Sequence, residues 1–185
     1  MSSINVLYAS SECYPFIKTG GLADVAGSLP NVLRDLGCEI SVILPEYKTI
    51  RKNYRNMLEK VTEFSIYHNK KTEKCRVDKI HYRNLNYYFI SHEYFDNDMI
   101  YGYDDDCIRF MLFSKAIAEM FKYINVRVDI VHINDWHLGL LPYYLKENNL
   151  KFKTVLTIHN LRYQGKYEVK DKILNFLQTG IEYAD

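Results

Sequence analysis

The sequence predicts an α/β fold: a Rossmann-like, doubly wound, mostly parallel sheet with a β-hairpin insertion. Three observations support this. Short apolar runs recur at residues 4–9, 39–45, 129–133 and 153–158. Helical periodicity fills intervals between them, most clearly over residues 22–36. In the middle of the chain, two alternating segments flank a turn, as the arms of a hairpin do.

The first run, INVLYA, is short and nearly continuous, which suits a strand buried on both faces of a parallel sheet. Leu22, Val25, Ala26, Leu29, Val32, Leu33 and Leu36 then fall at three- and four-residue steps, the apolar stripe of a helix. Pro30 lies inside it and should kink or split it, and Gly37 is a natural stop. EISVILP, residues 39–45, reads as the second strand and completes a βαβ unit. The basic stretch 51–60 reads as a solvated face. VTEFSIYH and KCRVDKIHY form the hairpin, with its turn near residues 70–72, and residues 86–91 form another strand. The aspartates closing the turn-rich stretch 96–106 are placed to cap a helix over 107–122. Residues 129–133 make a strand, 136–147 a helix disturbed at Pro142, 153–158 a strand and 170–177 a short helix. No linker divides the chain, so one domain spans residues 1–185. Ile181 and Tyr183 begin a further apolar pattern, so the polypeptide is expected to continue beyond Asp185.

Composition narrows the function. With 185 residues, 48% of them hydrophobic, the chain can bury a full core. A formal net charge of +1 gives no bulk attraction to nucleic acid or to an anionic membrane. No apolar run reaches the roughly 20 residues of a membrane span, and the N-terminus lacks the pattern of a signal peptide. Cys13, Cys38, Cys75 and Cys107 form neither a CxxC pair nor a zinc-spaced cluster, so no metal site is expected. Free thiols fit a reducing cytoplasm.

In an open α/β sheet, ligands bind beyond the carboxyl ends of the strands. Three chemistry-rich segments follow three predicted parallel strands: SSECYPFIKTGGLAD (10–24), NDWH (134–137) and HNLRYQG (159–165). All three should lie on one edge. Gly20 and Gly21 precede a helix, where a chain must bend sharply or come close to something. Free helix N–H groups there suit a phosphate, and Lys18 adds a full charge. A plain tight turn with a solvated lysine explains the pair equally well. It is neither a P-loop nor a GxGxxG fingerprint, which argues against an NAD-type protein. Asp135 can accept hydrogen bonds from sugar hydroxyls, and Trp136 can stack on a sugar or fill the core. His137 completes a helix start, and His132 and His137 lack the spacing of a zinc motif. His159, beside Asn160 and opposite Asp135, is a candidate site residue.

The segments SSECYPFIKTGGLADVAGSLP, YGYDDD, VHINDWHLGLLPYYL and TIHNLRYQG resemble the bacterial glycogen synthase and plant starch synthase family along essentially the whole chain. The resemblance implies the N-terminal, mainly acceptor-side half of a GT-B fold, two Rossmann-like domains facing across a cleft, with the C-terminal nucleotide-binding domain absent. It implies a hexosyltransferase that moves glucose from ADP-glucose to the non-reducing end of an α-1,4-glucan, glycogen or starch, with retention. It implies no cofactor beyond the donor substrate. Lys18 and the Gly20–Gly21 backbone resemble the loop that meets the donor diphosphate. Glu12 and Asp24 resemble polar groups of the acceptor side, and Tyr101 a tyrosine near the cleft. Asp135 and His159 resemble the catalytic residues that hold the transferred glucose, His159 where positive charge at the anomeric carbon is steadied. Asn160 and Gln164 match less strongly. Asn134 stands where the family often has His, a departure expected to matter little. Another retaining GT-B transferase and a non-catalytic glucan-binding module using Trp136 and exposed tyrosines remain open alternatives.

Overall fold

The computed structural model describes residues 3–169 and 172–183. In chain order, β1 (Asn5–Ala9) leads through α1 (Gly21–Asp35) to β2 (Glu39–Pro45) and α2 (Lys48–Tyr54). Strands β3 (Glu59–His68), β4 (Lys71–Tyr82) and β5 (Leu85–Ser91) follow. Then come α3 (Asp106–Met120), β6 (Ile130–Asn134), a 3-10 turn at Trp136–Leu138, α4 (Leu141–Glu147) and β7 (Lys153–Thr157). The small hairpin β8 (Lys166–Val169) and β9 (Lys172–Asn175) and helix α5 (Phe176–Tyr183) close the described chain.

One seven-stranded sheet has the order β3-β4-β5-β2-β1-β6-β7. Strands β5, β2, β1, β6 and β7 are parallel neighbours, and β3 and β4 extend the edge antiparallel. The predicted α/β architecture with a hairpin insertion is therefore present. Successive residues of the central strands are buried, such as Leu7, Tyr8 and Ala9, or Val42, Ile43 and Leu44. Both sheet faces are thus covered, as expected for strands whose crossovers are helical. Each fully buried Leu, Ile or Phe adds about 1.5–3 kcal/mol of burial. The chain passes from β1 to β2 on one side and returns to β6 on the other. The carboxyl ends of β1 and β6 therefore meet at the switch point of the sheet.

Helix α1 is continuous through Pro30 rather than split. Proline removes the N–H that Ala26 O would accept. The Cys13 thiol reaches that carbonyl instead, at 3.2 Å. Burial pushes this thiol up to about 12, so it stays protonated and able to donate. The stripe is shorter than its periodicity implied: Val32 and Leu36 are exposed. Gly37, at φ 95°, ends the helix, and Cys38 N donates to Leu33 O at 3.1 Å in a Schellman closure.

Five other local readings change. The β3–β4 turn is Asn69–Lys70, both at positive φ, one residue earlier than expected. Arg51 is not simply solvated; it pairs with buried Glu46 at 2.7 Å and with Asp96 at 2.8 Å. Asp105 makes no side-chain cap on α3. Asp106 instead accepts Gly102 N at 2.7 Å and Tyr103 N at 3.3 Å and pairs with fully buried Arg109. The segment from Trp136 breaks before Pro142, which sits in the first turn of α4, where its missing N–H costs nothing. The helix expected over 170–177 is replaced by β9 up to Asn175, with α5 starting at Phe176. Residues 170 and 171 of that expectation lie outside the described residues.

Candidate active site

The ends of β1, β6 and β7 bring the three predicted segments around one cavity of about 780 Å³. Glu12, Gly20, Gly21, Tyr101, Asp135, Trp136, His137, His159 and Asn160 line it, with Thr19, Leu22, Val25, Tyr163 and Tyr167. Of the predicted residues, Lys18, Asp24 and Gln164 are not in its lining. Gln164 faces a neighbouring hollow beside Trp136 and donates to Leu161 O at 2.9 Å.

The glycine loop has an arrangement that its spelling did not reveal. Glu12 is buried, and its Oε2 accepts Thr19 N at 2.5 Å and Gly20 N at 3.1 Å. The loop thus holds an internal carboxylate on its own N–H groups. Lys18 Nζ donates to both Asp24 oxygens, at 2.7 and 2.8 Å, on the exposed side of the loop. Gly20 is extended, at φ −141°, and Gly21 has no positive φ. Neither glycine is needed for a sharp bend. A Cβ on Gly21 would meet nothing within 4 Å. What remains is the open space these residues leave at the amino end of α1, a partial positive charge facing the cavity.

Asp135 follows β6 and adopts φ 60°, ψ 178°. That conformation costs a non-glycine residue about 1–3 kcal/mol. Two bonds hold it: Asp135 N donates to Thr157 O at 2.9 Å, and Asp135 Oδ1 accepts His159 N at 2.7 Å. Burial raises the Asp135 carboxyl above its usual range, and N–H groups of His159 and Asn160 pull against that shift. The carboxylate therefore shapes the turn after β7 while its residue lines the cavity.

His137 and Tyr101 form a second wall. Their rings stack with centroids 4.6 Å apart at 27°. Ser11 Oγ bridges them, 2.7 Å from Tyr101 Oη and 3.2 Å from His137 Nδ1. Burial pushes the His137 imidazole down to about 3, so it stays neutral at physiological pH. It can serve as a hydrogen-bonding and stacking group, not as a cation. Trp136 is 8% exposed and packs edge-on to Phe110 and Phe176, so most of its ring is core while its residue still borders the cavity. Ser11 and His137 were not singled out as site residues. The stacking of His137 on a residue 36 positions earlier leaves no local trace in sequence.

The family model of the starch synthase catalytic domain matches residues 5–185. This chain belongs to that family. It is 42% identical over 189 residues to a glycogen synthase of Caldicellulosiruptor saccharolyticus, covering 98% of this chain and 39% of the relative. It is 44% identical over 169 residues to the glycogen synthase of Bacillus subtilis, covering 88% of this chain and 35% of that one. The catalytic domain of starch synthase IV from Arabidopsis thaliana, bound to ADP and acarbose, superposes with a TM-score of 0.79 at 27% identity. That match covers 90% of this chain and 36% of the plant one. The architecture is the N-terminal half of a GT-B glycosyltransferase, and the chain spans well under half the length of these relatives.

Proposed function

We propose that this chain is the acceptor-side domain of an ADP-glucose-dependent glucan synthase. The parent protein transfers glucose from ADP-glucose to the non-reducing end of an α-1,4-glucan such as glycogen, retaining configuration. The observation that carries this reading is the convergence of three segments, after β1, β6 and β7, on one cavity at the switch point. The ADP and acarbose held by the related plant enzyme are a nucleotide and an oligosaccharide mimic, the two ligand classes the reading requires.

In this reading Asp135 and His159 hold the transferred glucose, and His159 lies at the developing anomeric charge. Asn160 and Tyr101 border the sugar, and the amino end of α1 meets the diphosphate with Gly20 and Gly21. Lys18 reaches that diphosphate only by leaving Asp24, an exposed pair that holds it by about 1 kcal/mol or less. Glu12 and Asp24 orient the loop, and Gln164 borders the adjoining hollow. The second domain of the parent chain supplies the remaining phosphate contacts and closes the cleft, excluding water and aligning the reactants. The chain by itself is folded and inactive. The working compartment is the cytoplasm, in keeping with four free cysteines.

The test is incorporation of labelled glucose into glycogen, with ADP-glucose or UDP-glucose as donor, by the parent-length protein and by this chain. Transfer from ADP-glucose by the parent alone is expected. Preference for UDP-glucose would mark a different GT-B transferase. Glucan binding without transfer by the parent would mark a binding module. Transfer by the 185-residue chain would overturn the two-domain account.

A further inference from the structure

Asn134 ends β6 with no exposed surface. Its Nδ2 donates to Ala9 O, the last carbonyl of β1, at 2.9 Å. A carbonyl only accepts, so the amide has one orientation, with Oδ1 turned away from β1. Oδ1 then accepts two hydrogen bonds, from Tyr8 Oη at 3.0 Å and from His159 Nε2 at 2.9 Å. An amide oxygen cannot donate, so the bond to His159 requires the ring hydrogen on Nε2. The His159 backbone is pinned separately by Asp135, at 2.7 Å. Two consecutive residues of one strand end thus hold the two ends of the same histidine.

We infer that Asn134 is a positioning residue: it locks His159 as the Nε2–H tautomer and leaves Nδ1 as the hydrogen-bond acceptor offered to a sugar hydroxyl. The chain of constraint runs from the β1 carbonyl, through an amide that cannot titrate, to the imidazole. The inference rests on the proposed sugar-site reading for what Nδ1 meets, but the tautomer itself does not depend on that reading. On this inference Asn134 has a part in the site, where the sequence led us to expect its departure from His to matter little.

The test is long-range proton–nitrogen NMR of the nitrogen-15-labelled chain at neutral pH. The wild-type His159 is expected to show a protonated Nε2 and an unprotonated Nδ1. A ring protonated on Nδ1 overturns the inference, with no variant needed. In Asn134→Ala the ring is expected to become a mixture of tautomers; an unchanged Nε2–H signature also overturns it. In the parent-length enzyme the same substitution is expected to lower kcat about 10–100-fold by misplacing the ring. If ADP-glucose leaves the Nδ1 signal of the labelled parent-length protein unmoved while the tautomer is Nε2–H, the sugar-site reading falls and the positioning by Asn134 stands.

Discussion

Asp135 Oδ1 accepts the backbone N–H of His159 at 2.7 Å, joining residues 24 positions apart in the chain. The bond ties the end of β6 to the end of β7, and it holds Asp135 in a backbone region favoured only by glycine. Strain and hydrogen bond oppose each other at this one residue. Asp135→Gly relieves the strain as it loses the carboxylate, so its stability is expected within about 1 kcal/mol of wild type. Asp135→Ala loses the carboxylate and keeps the strain, and is expected to fall below the glycine variant by roughly 1–2 kcal/mol. Urea denaturation of the three proteins measures this. Equal stability of the two variants would show that the backbone is unstrained.

A second prediction concerns pH. Glu46 lies just beyond β2, fully buried, and its pKa is raised from 4.5 to about 7, first by desolvation and then by the neighbouring Asp78. Arg51, at 2.7 Å, opposes the shift, and Arg76 lies 3.3 Å from the same oxygen. A carboxyl whose folded pKa is raised stabilises the fold fully below about 4.5, and that contribution is lost as pH rises through 7. Buried neutral His137 acts in the opposite sense, its contribution being lost as pH falls from 6.5 toward 3. The informative quantity is therefore the difference between wild type and Glu46→Gln. Between pH 5 and pH 8, wild type is expected to lose on the order of 1–3 kcal/mol relative to the glutamine variant. Parallel pH profiles would contradict the burial of a proton-sharing carboxylate there.

A third prediction follows from close backbone packing beneath the site. A Cβ on Gly139 would lie 2.0 Å from Phe176 O, and one on Gly180 would lie 2.8 Å from Gly139 O. The glycines let α5 seat against the 3-10 turn that carries Trp136. Gly139→Ala is expected to destabilise by about 1–3 kcal/mol through overpacking. Gly165 has φ 62°, and a Cβ there would lie 2.3 Å from Trp136 Cε3. Gly165→Ala is expected to shift the emission of Trp136, the sole tryptophan. An unaltered spectrum and melting curve for both variants would refute this packing.

Much of the fold was legible in sequence because buried parallel strands and amphipathic helices write periodic patterns. INVLYA and EISVILP are strands because successive residues are covered on both faces. Where the reading failed, a distant partner decided. Pro30 did not split α1 because Cys13 satisfies the carbonyl the proline strands. Asp106 did not cap α3 because buried Arg109 and the Gly102 amide claim its oxygens. The site was legible as three segments on one edge, since strand ends define that edge. The pairing of Lys18 with Asp24, of Glu12 with the Thr19 and Gly20 amides, and of Asn134 with His159 was not. Those bonds depend on side-chain directions that spacing does not encode.

The central claim is that Asp135 and His159 form the glucose-holding wall of a glucan synthase. Its most direct test is initial-rate transfer from ADP-glucose to glycogen by the parent-length protein with Asp135→Ala or His159→Ala, melting temperature being followed in parallel. The account predicts a loss of about 100-fold or more in kcat/KM for His159→Ala with little change in melting temperature. It predicts a comparable loss for Asp135→Ala, beyond what its lower stability explains. Transfer within about twofold of wild type in both folded variants would contradict it.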